Sequence, residues 1–231
     1  MFFPARRFAI SRLPGAFRAW ARLFRFALAG ALLLALPSQG LDNHKLMDAA
    51  IKIGPRAVAE VAPLLQMIER AAQMEEEPRL TLVNNYMNQR IAFKDDIEVW
   101  GVIDYWAAPL EALDKGAGDC EDYAIAKYFS LLSAGIPVGK LRMVYVRASL
   151  RGQSLAHMVL AYYAQPGADP LILDNLIPEV RPASLRPDLR PVFSFNSEGL
   201  WQGTGNMTQG DPVARLSMWR DLLQKARAEG F

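Results

Sequence analysis

The sequence predicts an α+β protein in which helices come first, a mostly antiparallel sheet follows and a helix closes the chain. Three observations carry this. Apolar residues recur at helical spacing through 55–93 and again through 119–135. From residue 140 the period shortens to two, and β-branched and aromatic residues take over. With 231 residues, 52% hydrophobic and 22% charged, the chain suits one packed domain plus extensions, and wholesale disorder is excluded.

The chain opens with Arg6, Arg7, Arg12, Arg18, Arg22 and Arg25, then the apolar run FALAGALLLAL (26–36) and the small residues of PSQG (37–40). That run has signal-peptide length and is about half of a membrane span. Residues 1–40 therefore read as an export signal cleaved near Gly40, with an uncleaved membrane anchor as the alternative. The paired arginines at 6–7 lie too far upstream for a convincing twin-arginine signal. The formal charge of +2 belongs to this segment: without its six arginines, 20 basic residues face 24 acidic ones. A mildly acidic body gives no electrostatic reason to bind nucleic acid. Residues 41–231 form the remaining domain. Export also makes the single cysteine conspicuous, because it has no internal disulfide partner.

PRAVAEVAPLLQMIERAAQM (55–74) has helical periodicity, with Pro63 positioned to start a second helix. EEEPRLTLVNNYMNQRIAF (75–93) reads as another helix with a polar start. In DCEDYAIAKYFSLLSAG (119–135) acids crowd the first turn, and Gly135 and Pro137 end the helix. KLRMVYVRA (140–148), LAHMVLAYYA (155–164) and PLILDNL (170–176) read as strands, and QPGAD (165–169) turns the last two into an antiparallel hairpin. PVFSFN (191–196) adds a strand. In the tail (211–230) Asp211 caps an amphipathic helix and Pro212 takes its first position.

The chemistry centres on GAGDCEDYAIAKY (116–128). Asp119 and Glu121 disfavour a thiolate at Cys120, whereas a helix N-terminus favours one. Of two histidines, His44 lies in a polar stretch and reads as solvated. His157 lies in a strand, on the face of Val159 and Ala161, and Asp174 ends the following strand. A hairpin sets His157 and Asp174 side by side, so a thiol, a base and an orienting acid follow in order. Each residue alone has a structural explanation; their coincidence carries the signal.

The stretches WAAPLEALDKGAGDCEDYAIAKYFSLLSAGIPVGKLRMVYV, AHMVLAYY and PLILDNLIPEVRPASLRPDLRPVFSFNSEGLW resemble the bacterial transglutaminase-like cysteine proteinases, and more narrowly the LapG-type periplasmic proteases. The resemblance spans roughly 84–203. It implies a transglutaminase/papain-like fold, with the nucleophile at a helix N-terminus packed on an antiparallel sheet. It implies a triad of Cys120, His157 and Asp174, with the Cys120 N–H in the oxyanion hole. Trp106 either adds its indole N–H or is a core aromatic. The resemblance further implies calcium dependence, with Asp119, Glu121 and Asp122 among the ligands; the alternative is that these acids only cap the helix. The implied substrate is a large surface adhesin, cut near its N-terminus to disperse a biofilm. The implied partner is the periplasmic domain of an inner-membrane cyclic-di-GMP receptor. Transglutamination or deamidation, and a noncatalytic calcium-stabilised binding module, are the competing readings.

Overall fold

The structure, a computed structural model, describes residues 41–231 apart from residue 206, and the expected export signal lies outside the described residues. No helix among them is long and apolar enough to cross a membrane. Helix α1 (Asn43–Ile53) starts on the Asp42 carboxylate, which accepts from the N–H groups of His44 and Lys45. His44 is exposed, as its polar setting predicts. Helix α2 (Pro55–Ala72) runs straight through Pro63, where a second helix was expected. An internal proline costs about 3 kcal/mol. The buried stripe Ala57, Val61, Leu64, Ile68 and Ala71 continues on both sides of it and holds one helix together. Helix α3 (Glu76–Arg90) follows, starting in the glutamate run.

A short parallel pair then frames the loop ahead of the cysteine: β1 (Ala92–Phe93) lies beside β2 (Ala117–Gly118). Between them are the one-turn α4 (Asp96–Val99) and α5 (Pro109–Lys115). Helix α6 (Cys120–Ser133) is buried from Asp122 to Leu131, the pattern of a helix surrounded by protein. Strands β3 (Leu141–Leu150) and β4 (Gln153–Tyr162) pair antiparallel across Arg151 and Gly152, both at positive φ in a tight turn. Next come β5 (Leu171–Leu173), β6 (Arg181–Pro182), β7 (Leu189–Phe195), β8 (Leu200–Gln202) and β9 (Thr208–Gly210). They complete a seven-stranded sheet of order β6-β5-β4-β3-β7-β8-β9, antiparallel throughout.

One face of the sheet, carrying Met143, Met158, Leu160, Tyr162 and Phe195, packs into the main core with the helices. Val144, Val146, Val159 and Ala161 form a smaller cluster, as alternation requires. The tail is capped by Asp211, as predicted, but it is two helices, α7 (Pro212–Arg215) and α8 (Ser217–Glu229), because Leu216 leaves helical geometry. Trp219 on α8 is fully buried against Tyr128, Phe129 and Phe195. At the end of α8 the Glu229 carboxylate accepts from the N–H groups of Leu110 and Glu111, capping the first turn of α5 from a distant element.

Glu229→Ala leaves those two N–H groups unpartnered and is expected to lower unfolding free energy by about 1–2 kcal/mol in urea titrations. Burial pushes Glu229 up to about 8 from its ordinary 4.5. The folded protein thus keeps a proton that the unfolded chain releases, and this group makes stability fall as pH rises from about 4.5 to about 8. Glu229→Gln should remove that part of the slope.

Candidate active site

Cys120 is the first residue of α6, and Asp119 supplies its N-cap. The N–H groups at the start of a helix have no intrahelical acceptor and favour negative charge there. The Cys120 thiol donates to Glu121 Oε2 at 3.0 Å. Burial pushes this thiol far up, the charges of Glu121 and Asp119 push it further, and a main-chain hydrogen bond from Met158 offsets only part.

The second half of the site comes from the sheet. Strand β5 spans three residues and pairs only with Leu160, Ala161 and Tyr162 of β4. The half of β4 that carries His157 therefore has β3 on one side and an open flank on the other. Asp174 turns into that flank directly after β5, and its Oδ1 lies 2.8 Å from His157 Nε2. Both side chains are buried, at 2% and 0% exposure, so their contact is shielded from water. Oδ1 also accepts from Leu176 N–H, and α3 braces the same residue through Asn88, whose amide donates to the Asp174 carbonyl.

Behind Asp174 stands Arg186, which sequence reading did not single out. Its guanidinium donates to Asp174 Oδ2 at 2.6 Å and is itself held by both oxygens of Asp188. Burial alone would raise Asp174, but hydrogen bonds from His157 and Arg186 overcome it and hold the carboxyl at about 2. A second cation approaches from α6: Lys127 is buried, and loss of solvent drags it down to about 7, while Asp174 pulls the other way. The acid of the pair is thus fixed as a carboxylate by its surroundings.

Cys120 and His157 line one cavity of about 450 Å³, together with Phe93, Trp106, Tyr145, Leu155 and Phe193. Trp106 is half-buried there and stacks on Phe195, so it belongs to the cavity wall and to the edge of the core at once. Burial and Glu121 push Asp104 up, and a hydrogen bond from the Trp106 side chain offsets part of that rise.

Carboxylates gather on the other side of the cysteine. Asp119, Glu121 and Asp122 lie at the start of α6, and the segment between β1 and α5 brings two acids that sequence reading did not single out, Asp96 and Asp104, within reach of them. Among the described residues none of the five takes part in an ion pair. Some of their oxygens are satisfied: Asp96 Oδ2 accepts from Tyr105 N–H at 2.5 Å and Asp122 Oδ1 from Ala107 N–H at 2.8 Å. Asp96 Oδ1, Asp119 Oδ1 and Asp122 Oδ2 are buried without a donor. Gly118 leaves the room that Asp122 occupies, since a Cβ there would lie 2.4 Å from Asp122 Oδ2. Buried, unpartnered carboxylate oxygens converging from α4 and from the start of α6 fit a hard cation with oxygen ligands far better than they fit helix capping.

The family model of the bacterial transglutaminase-like cysteine proteinases matches residues 60–187. The chain is also similar to solved structures of LapG from Legionella pneumophila. The EGTA-treated form is 35% identical, with TM-score 0.71 over 81% of this chain and 98% of that one. The calcium-bound form is 34% identical, with TM-score 0.69 over 80% of this chain and 99% of that one. No curated protein matches.

Two outcomes follow from the charges alone. Asp119 and Asp122 are raised mainly by burial, Asp122 to about 8. In chelator-treated protein the fold holds protons that the unfolded chain has lost, so melting temperature should fall as pH rises from about 4 to about 8. Asp122→Asn should flatten that slope. Arg186→Met strands the buried Asp174 carboxylate and is expected to cost about 3–5 kcal/mol in denaturant unfolding, whereas Arg186→Lys should retain part of the stability.

Proposed function

The chain belongs to the bacterial transglutaminase-like cysteine proteinases, and on that basis we propose that it is a calcium-dependent endopeptidase that cuts the N-terminal region of a large surface adhesin. The observation that carries this is the shared cavity: Cys120 and a His157 ring hydrogen-bonded to Asp174 line one cleft, beside carboxylates with unpartnered oxygens.

In this reading Asp174 holds the His157 proton on Nε2, which leaves Nδ1 as the base for the Cys120 thiol. The thiolate attacks the peptide carbonyl, and the Cys120 N–H at the start of α6 receives the oxyanion. Trp106 becomes a second donor when its indole leaves Asp104. His157 then returns the proton to the departing amine, and water resolves the thioester to acid and free thiol. Asp96, Asp104, Asp119, Glu121 and Asp122 are the residues that would hold calcium, whose positive charge would let Cys120 ionise among these acids.

The arginine-rich, apolar start of the sequence supports export to the periplasm, where the adhesin would be met. The same resemblance supports restraint of the protease by the periplasmic domain of an inner-membrane cyclic-di-GMP receptor, and a role in biofilm dispersal.

The test is cleavage of a recombinant adhesin N-terminal fragment by the protein from Leu41 onward, with calcium, with EGTA and with Cys120→Ala. Calcium-dependent cutting that drops by about 10³-fold or more in the variant is expected. Equal proteolysis by Cys120→Ala would overturn the nucleophile. Calcium would be ruled out as a ligand if chelation changed neither the rate nor the melting temperature.

A further inference from the structure

The pair β1–β2 has a free side. Ala92 N–H donates to Gly116 O at 2.9 Å and Lys94 N–H to Gly118 O at 3.0 Å. Alternation along an extended chain then turns the N–H and C=O of Phe93, the residue between them, away from β2. Among the described residues no other strand pairs with β1, and both of its residues are exposed, Phe93 at 57%. An unpaired strand edge is a template for another extended chain. This one lies at the cysteine. Phe93 is in register with Gly118, two residues before Cys120, and Phe93 lines the same cavity as the thiol. Across that cavity stand Leu155 and Ala156, on the half of β4 that β5 leaves unpaired. Four residues further along the chain, Ile97 is equally exposed.

We propose that the open edge of β1 docks the substrate's main chain, with the N–H and C=O of Phe93 pairing with one residue of an extended polypeptide segment and so setting which peptide bond reaches Cys120. The proposal rests on Cys120 being the nucleophile, and it deepens that reading. The occupant is an extended segment because a helix has its own main-chain groups already paired and cannot offer them to Phe93. The contact is with main chain, so it selects for an unfolded or extended stretch of substrate, and the exposed ring of Phe93 adds a preference for an apolar neighbour.

The test uses a peptide of about twelve residues spanning the bond cut in the adhesin fragment, together with its series of single backbone N-methylations. One amide besides the scissile one should be sensitive, with KM raised about tenfold and kcat changed less than about threefold, as befits a methyl group that removes one hydrogen bond and crowds the edge that makes the other. Phe93→Pro removes the N–H without touching the bonds to β2, which belong to Ala92 and Lys94. It should raise KM similarly for the parent peptide and add little for the sensitive N-methyl peptide, whose methyl group stands between the two chains and already displaces both bonds of the pair. Phe93→Ala, which keeps the N–H, should do less. If Phe93→Pro misfolds, the N-methyl series on the natural sequence decides alone. Cutting that needs Cys120 but ignores every N-methyl group overturns this proposal only. Cutting that survives Cys120→Ala overturns the nucleophile and this proposal together. Self-association that Phe93→Pro abolishes while KM stays constant would assign the edge to a second copy instead.

Discussion

Crowding of negative charge around the first turn of α6 is the constraint that the rest of this molecule is built to tolerate. A helix N-terminus carries roughly half a positive charge, enough to favour one or two acids. Here Asp119, Glu121 and Asp122 on the helix meet Asp96 and Asp104 from the preceding loop. The loop is folded to make that meeting happen. Main-chain donors from Tyr105 and Ala107 tie it to Asp96 and Asp122, and the β1–β2 pair pins its base. Much of the polypeptide between residues 92 and 122 thus serves to hold like charges together, which is costly unless a cation repays it.

The opposite wall follows the reverse logic. Around Asp174 the protein gathers cations and donors: Arg186 in contact, Lys127 buried nearby, His157 across the hydrogen bond. One carboxylate is stabilised by basic neighbours, while the acids around the start of α6 crowd one another. His157 and Cys120 stand on the boundary between these two electrostatic regimes. Secondary structure creates the boundary, since the start of α6 and the segment before α5 carry the acids and the cysteine, while β4 and the turn after β5 carry the base and its orienting acid.

How much of this could be read beforehand follows from distance along the chain. The α+β order, the strong helix at 119–135 and the β4–β5 hairpin are local patterns, and the structure has them. Cys120, His157 and Asp174 could be nominated because the chain has one cysteine and two histidines, so there were few candidates to weigh. Asp96 and Asp104 were not legible, since nothing in KDDIEVWGVIDYW marks which acids fold back onto a helix some twenty residues later. Arg186 sits in the proline-punctuated stretch RPASLRPDLRP, which reads as loop, and its burial appears only once Asp174 and Asp188 are in place. Pro63 and Leu216 misled in opposite directions. Packing carried α2 through a proline, and a break arose in the tail where the sequence pattern ran on.

Gly118 has a consequence beyond its own turn. The space its missing side chain leaves is the space that Asp122 Oδ2 fills, so a methyl group there and that carboxylate are rival tenants of one volume. Acquiring any side chain at 118 would evict an acid from the cluster while leaving Cys120, His157 and Asp174 untouched in sequence. The position therefore records, in a single residue, whether a chain of this shape still has use for a crowded anionic site, independently of whether it has kept its nucleophile.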